Sequence, residues 1–218
     1  GASGMRIYSA EFLDSLTLLA KEYGVLVIFD EVMTGFGRTG KMFAMDYCNE
    51  KPDIVTLSKG LTAGVLPMGL TITSNEIFNA FLSPDTTKAF LHGHSFTANP
   101  LACAVACASL DLFERPETWK SIESIEKWNA DFANELNSIS TVSHIRQKGT
   151  ILAFEVNTEK ETTYFSDLRD KLYNYCLDNG VFIRPLGNVV FINPPYCITE
   201  EEFKHVKEVL LNFLNELN

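Results

Sequence analysis

Asp30 and Lys59 are the residues whose setting in the chain points most directly to chemistry. Each closes a short apolar run: Val25-Leu-Val-Ile-Phe29 before Asp30-Glu31, and Ile54-Val-Thr-Leu57 before Ser58-Lys59-Gly60. Continuous apolar runs of this length fit strands buried on both faces. The C-terminal ends of such strands are where α/β sheets bind ligands. Two strands ending together would carry both side chains on one edge of one sheet. A lysine there loses part of its hydration, which favours the neutral, nucleophilic amine. An acid that pairs with a pyridinium and an amine that condenses with an aldehyde are the groups that pyridoxal phosphate chemistry requires. Taken singly, each residue has a plainer reading. Asp30 could be a solvated strand-end acid or a helix cap, and Lys59 a surface lysine.

Three further stretches carry candidate groups. In Leu91-His-Gly-His-Ser-Phe-Thr97 the His-x-His spacing suggests metal, but the chain has only four histidines and no third ligand group at suitable spacing, so no metal is expected. Hydroxyls on a glycine-containing loop ahead of a helix suit a phosphate instead. In Arg184-Pro-Leu-Gly187 an arginine fixed by proline and a glycine turn can fork onto a carboxylate. A surface ion pair is the alternative. Gly35 to Lys41 imitates a phosphate loop, GxxxxGK, beside an acidic strand. Yet Met42 stands where a Ser or Thr magnesium ligand belongs, and the loop follows the acidic strand instead of preceding it. Cys103 and Cys107, one turn apart on an alanine-rich helix, read as small packing residues.

The elements that must position these groups are legible in the spacing. Helical periodicity covers Glu11 to Tyr23, with Gly24 as its stop. Gly69 to Ser74 reads as a third strand. Asn99-Pro100 is a cap followed by a first-turn proline, opening a helix over Leu101 to Phe113. Arg115-Pro116 is the expected domain boundary, giving units 1–115 and 116–218. Beyond it come a helix over Thr118 to Leu136, strands near Val142 to Arg146 and Ile151 to Val156, and a helix over Phe165 to Asp178. Strands are expected around Val181 to Arg184 and Val189 to Ile192. Thr199 and Glu202 form a capping box for the last helix. The alternation gives an α/β class, with a mostly parallel sheet in the first unit and a smaller α+β second unit.

Composition bounds the rest. The 218 residues are 46% hydrophobic and 21% charged, with a net charge of −10. Those values exclude a disordered tail, a collagen-like fibre and a disulfide mini-scaffold. The acidic balance argues against binding nucleic acid or an anionic membrane surface. No run is long enough to span a membrane, and no signal or transit segment is evident. Five scattered cysteines without a CxxC pair fit a reducing cytoplasm.

Val27-Ile-Phe-Asp-Glu-Val-Met-Thr-Gly-Phe-Gly-Arg-Thr-Gly40 and Pro52-Asp-Ile-Val-Thr-Leu-Ser-Lys-Gly60 resemble the core signature of the fold-type I, class III aminotransferases. Gly1 to Arg6, Leu91 to Pro100 and Ile183 to Tyr196 are similar to a branch of that family that makes a diamine for biotin synthesis with S-adenosylmethionine as amino donor. The resemblance spans the whole chain but only about the C-terminal half of a family protomer. The start is therefore read as an internal cut, with 1–115 as the C-terminal part of the large cofactor-binding domain and 116–218 as the small domain. It implies pyridoxal phosphate held covalently by Lys59, with Asp30 on its pyridine nitrogen. It places Ser95 on the phosphate of the neighbouring subunit's cofactor, and Gly93 and Arg184 at the substrate. Phe191 stands where some members have tyrosine, and His94 where a proline is common. It further implies small-molecule substrates and a homodimer with sites at the interface. The missing half would carry the rest of the sheet, so the isolated chain is expected to be inactive without it. A relative acting on ornithine or 4-aminobutyrate is one alternative. A non-catalytic half serving folding and dimerisation is another, against which Asp30, Lys59, Ser95 and Arg184 all stand intact.

Overall fold

Ser9 starts the first element by accepting the N–H of Phe12 on its hydroxyl at 3.2 Å, and α1 follows over Ala10–Glu22. The computed structural model describes residues 1, 3–157 and 167–217. They divide into two units, Tyr8–Thr118 on one hand, and Gly1–Ile7 with Trp119–Asn218 on the other. The division falls at 118/119, beside the boundary expected at 115/116, and the first seven residues go with the second unit.

In the 8–118 unit, β1 (Ile28–Asp30), β2 (Ile54–Leu57) and β3 (Leu70–Thr73) form one sheet in that order. β1 and β2 are parallel, with Asp30 opposite Thr56. The Asp53 carboxylate accepts the N–H of Val27 at 2.8 Å, which ties the approach to β1 to the start of β2. The parallel pairing expected for the sheet is confined to β1 and β2, since β3 runs antiparallel to β2. The connection from β2 to β3 is spent on a 3₁₀ turn, Lys59–Thr62, and a left-handed residue, Ala63. It contains no helix of the kind a parallel crossover uses.

The run Val25 to Phe29 departs from a strand buried on both faces. Only Ile28–Asp30 is strand, and Val25, Leu26 and Ile28 are 57%, 59% and 58% exposed. Among the described residues β1 has a neighbour on one side only. A continuous apolar run states that both faces favour cover; it does not supply the cover.

α2 (Asn75–Ala80), which the sequence reading missed, follows the Ser74 cap. α3 (Pro100–Phe113) packs its small residues Ala102, Ala106 and Ser109 inward. Its N-cap is Asn99, whose Oδ1 accepts the N–H groups of Leu101 at 2.9 Å and Ala102 at 3.3 Å. Asn99→Ala is expected to lower the unfolding free energy by about 1 kcal/mol in urea titrations, and Asn99→Asp to keep most of it. An alanine variant with an unchanged midpoint would show that packing alone fixes this helix start.

The second unit holds α4 (Pro116–Leu136, from Trp119 onward), β4 (Val142–Lys148), β5 (Ile151–Val156), α5 (Asp167–Asp178), β6 (Val189–Ile192) and α6 (Glu200–Glu216). The expected start of α5 at Phe165 lies outside the described residues. The sheet is antiparallel in the order β4-β5-β6, and its Phe154 shares a core with Phe132, Leu136, Leu172, Leu210 and Phe213. The capping box is formed: Thr199 Oγ1 accepts the N–H of Glu202 at 3.2 Å, and Glu202 Oε2 accepts that of Thr199 at 2.8 Å. Arg146 ties the first residues to β4, donating from Nε to the Met5 carbonyl at 2.9 Å while pairing with Glu155 at 3.2 Å.

Val181 to Arg184, expected as a strand, belongs to no strand. Val181 and Ile183 are buried and pack on the core. The same alternation of buried and exposed residues therefore arises from packing alone. No described helix is long and apolar enough to cross a membrane.

Candidate active site

The parallel register of β1 and β2 brings the two strand ends together, Asp30 facing Thr56 and Lys59 lying three residues beyond Thr56. Asp30 is exposed. Its Oδ1 accepts the N–H of Val32 at 2.9 Å and, at 3.4 Å, the hydroxyl of Thr56. Among the described residues its Oδ2 accepts no hydrogen bond. The carboxylate is thus aimed by one oxygen and open at the other.

Lys59 is exposed as well, so the loss of hydration expected of it is not met within this chain, and among the described residues its Nζ makes no hydrogen bond or ion pair. Its backbone is left-handed, with φ of 43°, which costs a non-glycine residue about 1–3 kcal/mol and persists only where the surroundings over-determine it. They do so here. Ser58 donates its hydroxyl to the Met68 carbonyl at 2.6 Å. The Lys59 carbonyl accepts the N–H of Gly64 at 3.2 Å. Gly60 lies so close to Phe36 that a Cβ on it would stand 2.7 Å from the Phe36 Cβ. From α3, Ser109 donates to the Gly60 carbonyl at 3.1 Å.

A residue that sequence reasoning missed lies next to Asp30. Glu31 is 2% exposed. Its carboxylate accepts from the Thr34 hydroxyl, from Ala44 N–H at 3.0 Å and from Met45 N–H at 2.7 Å. One side chain therefore closes the whole 31–45 loop. The signal that could have found it is thin: a second acid after a strand-end acid, ahead of a glycine-rich loop.

Gly93 and Ser95 sit in an exposed loop ahead of α3. Thr97 is engaged there, accepting the N–H of His94 on its hydroxyl at 2.9 Å. Ser95 makes no hydrogen bond among the described residues, so its hydroxyl is the open one. A Cβ on Gly93 would meet Thr97 Oγ1 at 3.5 Å, an ordinary contact. Arg184 belongs to the other unit. It is exposed between the buried Ile183 and Pro185, and its segment ends in the turn where Leu186 and Val189 exchange backbone hydrogen bonds at 2.9 and 3.0 Å. Asp30 thus ends one, and Lys59 follows the other, of two adjacent parallel strands of one unit, and Arg184 lies in the other unit.

Two of the five cysteines are buried, Cys48 and Cys176. Burial pushes the Cys176 thiol up to about 11, and it raises that of Cys48 too; both stay protonated. Among the described residues no group of three or more His, Cys, Asp or Glu is placed to hold a metal ion.

Comparison with known proteins adds a second line. The aminotransferase class-III family pattern matches residues 1–214. The chain is 41% identical over 221 aligned positions to the adenosylmethionine-8-amino-7-oxononanoate aminotransferase of Helicobacter pylori, covering 99% of this chain and 50% of that protein. The crystal structure of the like-named enzyme from Methanocaldococcus jannaschii superposes with a TM-score of 0.91 at 36% identity, over 99% of this chain and 51% of that one. An (S)-enantioselective omega-transaminase from Thermomicrobium roseum superposes with a TM-score of 0.90 at 31% identity, over 99% of this chain and 49% of that one. The chain spans about half the length of the relatives it matches.

Proposed function

The chain belongs to the class III aminotransferases, and we propose that its Asp30–Lys59 site holds pyridoxal phosphate. The reaction proposed is the cytoplasmic transfer of an amino group from S-adenosylmethionine to 8-amino-7-oxononanoate, forming 7,8-diaminopelargonate for biotin synthesis. One observation carries the reading: a free amine and a half-free carboxylate at the ends of two hydrogen-bonded parallel strands. The names of two relatives reported above supply the substrates.

The donor set fits the cofactor. Pyridoxal phosphate, when bound, supplies an aldehyde that exchanges amines and a pyridinium ring that draws off electron density. Lys59 Nζ would hold the aldehyde carbon. The open Asp30 Oδ2 would accept the ring N–H, while Val32 and Thr56 keep the carboxylate aimed. A carboxylate in that place keeps the ring nitrogen protonated. The Lys59 amine would also be the base that takes the proton from the amine-bearing carbon of the donor. The Ser95 hydroxyl would reach the phosphate held by a neighbouring subunit. Arg184 would fork onto the carboxylate of the oxo-acid, and Gly93 would border the substrate. The reading includes a homodimer with sites at the interface. It also includes an N-terminal half of the protomer that completes the large domain.

Treatment of the protein with pyridoxal phosphate and borohydride, then peptide mapping, tests it. Borohydride makes permanent any condensation between a lysine and the cofactor's aldehyde. One phosphopyridoxyl group on the Lys59 peptide is expected; capture spread evenly over surface lysines would overturn the cofactor reading. The substrates are tested by the absorbance of the lysine-bound cofactor. It is expected to fall with S-adenosylmethionine and with 7,8-diaminopelargonate. A fall with ornithine or 4-aminobutyrate and none with the diamine would transfer the reading to the omega-transaminase side of the family, which the Thermomicrobium roseum likeness represents.

A further inference from the structure

We infer that Glu31 is a positioning residue for Lys59, acting through the 31–45 loop and Phe36 on the backbone of Gly60. The inference rests on the cofactor reading above and assigns a role to a residue that reading does not use.

Glu31 has several links to the strand ends at once. Its own N–H donates to the Thr56 carbonyl at 3.0 Å, which extends the β1–β2 pairing one residue past Asp30. Its carbonyl accepts the N–H of Gly35 at 2.9 Å. Its carboxylate then grips the far end of the loop at Ala44 and Met45 and the near end at Thr34. Gripping both ends this way fixes what lies between them. Phe36 lies between them, 2% exposed and itself left-handed, with φ of 58°. Its ring meets Phe43 edge-on at 5.5 Å and Phe113 of α3 at 6.1 Å.

The other side of Phe36 is Gly60. With 2.7 Å between the Phe36 Cβ and the place a Gly60 Cβ would take, the two backbones are wedged. Gly60 directly follows Lys59, whose own φ of 43° would relax if Gly60 were free to move. A loop that loosened would let Phe36 withdraw, and the strained turn that presents the amine would open. The chain of contacts runs Glu31, loop ends, Phe36, Gly60, Lys59, and every step lies within one unit.

A coupled set of variants tests it: Glu31→Gln, Phe36→Ala, the pair together, and Thr34→Val as a milder loss. Glutamine has one acceptor oxygen where Glu31 uses two for three donors, so at least one donor loses its partner. Two quantities are read on the full chain. The first is borohydride capture at Lys59, relative to capture at surface lysines. The second is amide hydrogen exchange over 32–45 and 58–64.

Glu31→Gln and Phe36→Ala are each expected to lower the Lys59 share about tenfold and to speed exchange in both segments by a similar factor. Because they act in series, the double variant is expected to fall no further than the larger single. An additive, roughly hundredfold fall would overturn the route through Phe36. Wild-type capture in Glu31→Gln would overturn the inference altogether. Should Glu31→Gln not fold, Thr34→Val decides, with about a threefold loss expected and no loss overturning it. If the native chain itself shows no preference for Lys59, the cofactor reading fails. Exchange over 58–64 then decides alone, since an unchanged rate in the variants would show that Glu31 does not hold this turn.

Discussion

Lys59→Ala is expected to leave no borohydride-stable cofactor on the 59 peptide and, in a protomer completed by its N-terminal half, to slow transamination by about 10³-fold or more, the scale of losing a positioned acid–base group together with the covalent attachment. The expectation follows from what else in the chain could substitute. Lys41, in the neighbouring loop, is committed to the Asp46 carbonyl at 2.9 Å and lies over the Tyr47 ring at 4.4 Å. Lys51 donates to the carbonyls of Met45 and Cys48. Neither ends a strand beside Asp30. Lys59→Arg is expected to fail equally, because a guanidinium keeps the charge but is never the neutral amine that condensation needs. Stability is expected to move the other way in Lys59→Gly. Glycine adopts the φ of 43° seen here without the Cβ clash. A glycine variant that melts no lower than the native chain but captures no cofactor would separate the chemistry of this side chain from its strain. A Lys59→Ala protein that still transaminates within tenfold of the native rate would remove Lys59 from the reaction.

How far the residues alone disclosed this arrangement depends on the range of the interactions involved. Short-range rules served well. The Asn99-Pro100 start of α3 and the Thr199–Glu202 box of α6 are decided within one helical turn, and both stand where their residue types put them. That Asp30 and Lys59 lie at the ends of neighbouring strands was also legible, because two apolar runs that end in polar residues align once the strands are parallel. Glu31 was not. Its burial depends on Ala44 and Met45 returning over it, a contact that no local periodicity encodes. Val181 to Arg184 misled for the opposite reason. Alternation reports which side chains face the core and is silent on whether the backbone has a ladder partner. The resemblance carried by 27–40 and 52–60 did what periodicity could not, by assigning roles to strand-end residues whose plainer readings compete evenly with the chemical ones.

Asp30→Asn is expected to separate holding the cofactor from using it. Lys59 is untouched in this variant, so capture on the 59 peptide is expected to persist within a few-fold. In the protomer completed by its N-terminal half, transamination is expected to fall by about 10²–10³-fold, the scale of losing one preorganised electrostatic contact at a site of developing charge. The reason lies in the second oxygen. Val32 N–H and the Thr56 hydroxyl both lie on Oδ1, and an asparagine that keeps those bonds must keep its carbonyl there. Its NH₂ then takes the place of Oδ2, the atom left for the ring nitrogen, so a donor faces the group that needs an acceptor. The ring nitrogen would lose its proton, and with it the draw on electrons that proton removal by Lys59 relies on. Asp30→Glu keeps the charge but lengthens the arm beyond the reach set by Val32, so an intermediate loss is expected. Equal loss of capture and turnover in Asp30→Asn would make Asp30 a binding residue only. Full turnover would break the pairing of acid and amine on which the whole site reading stands.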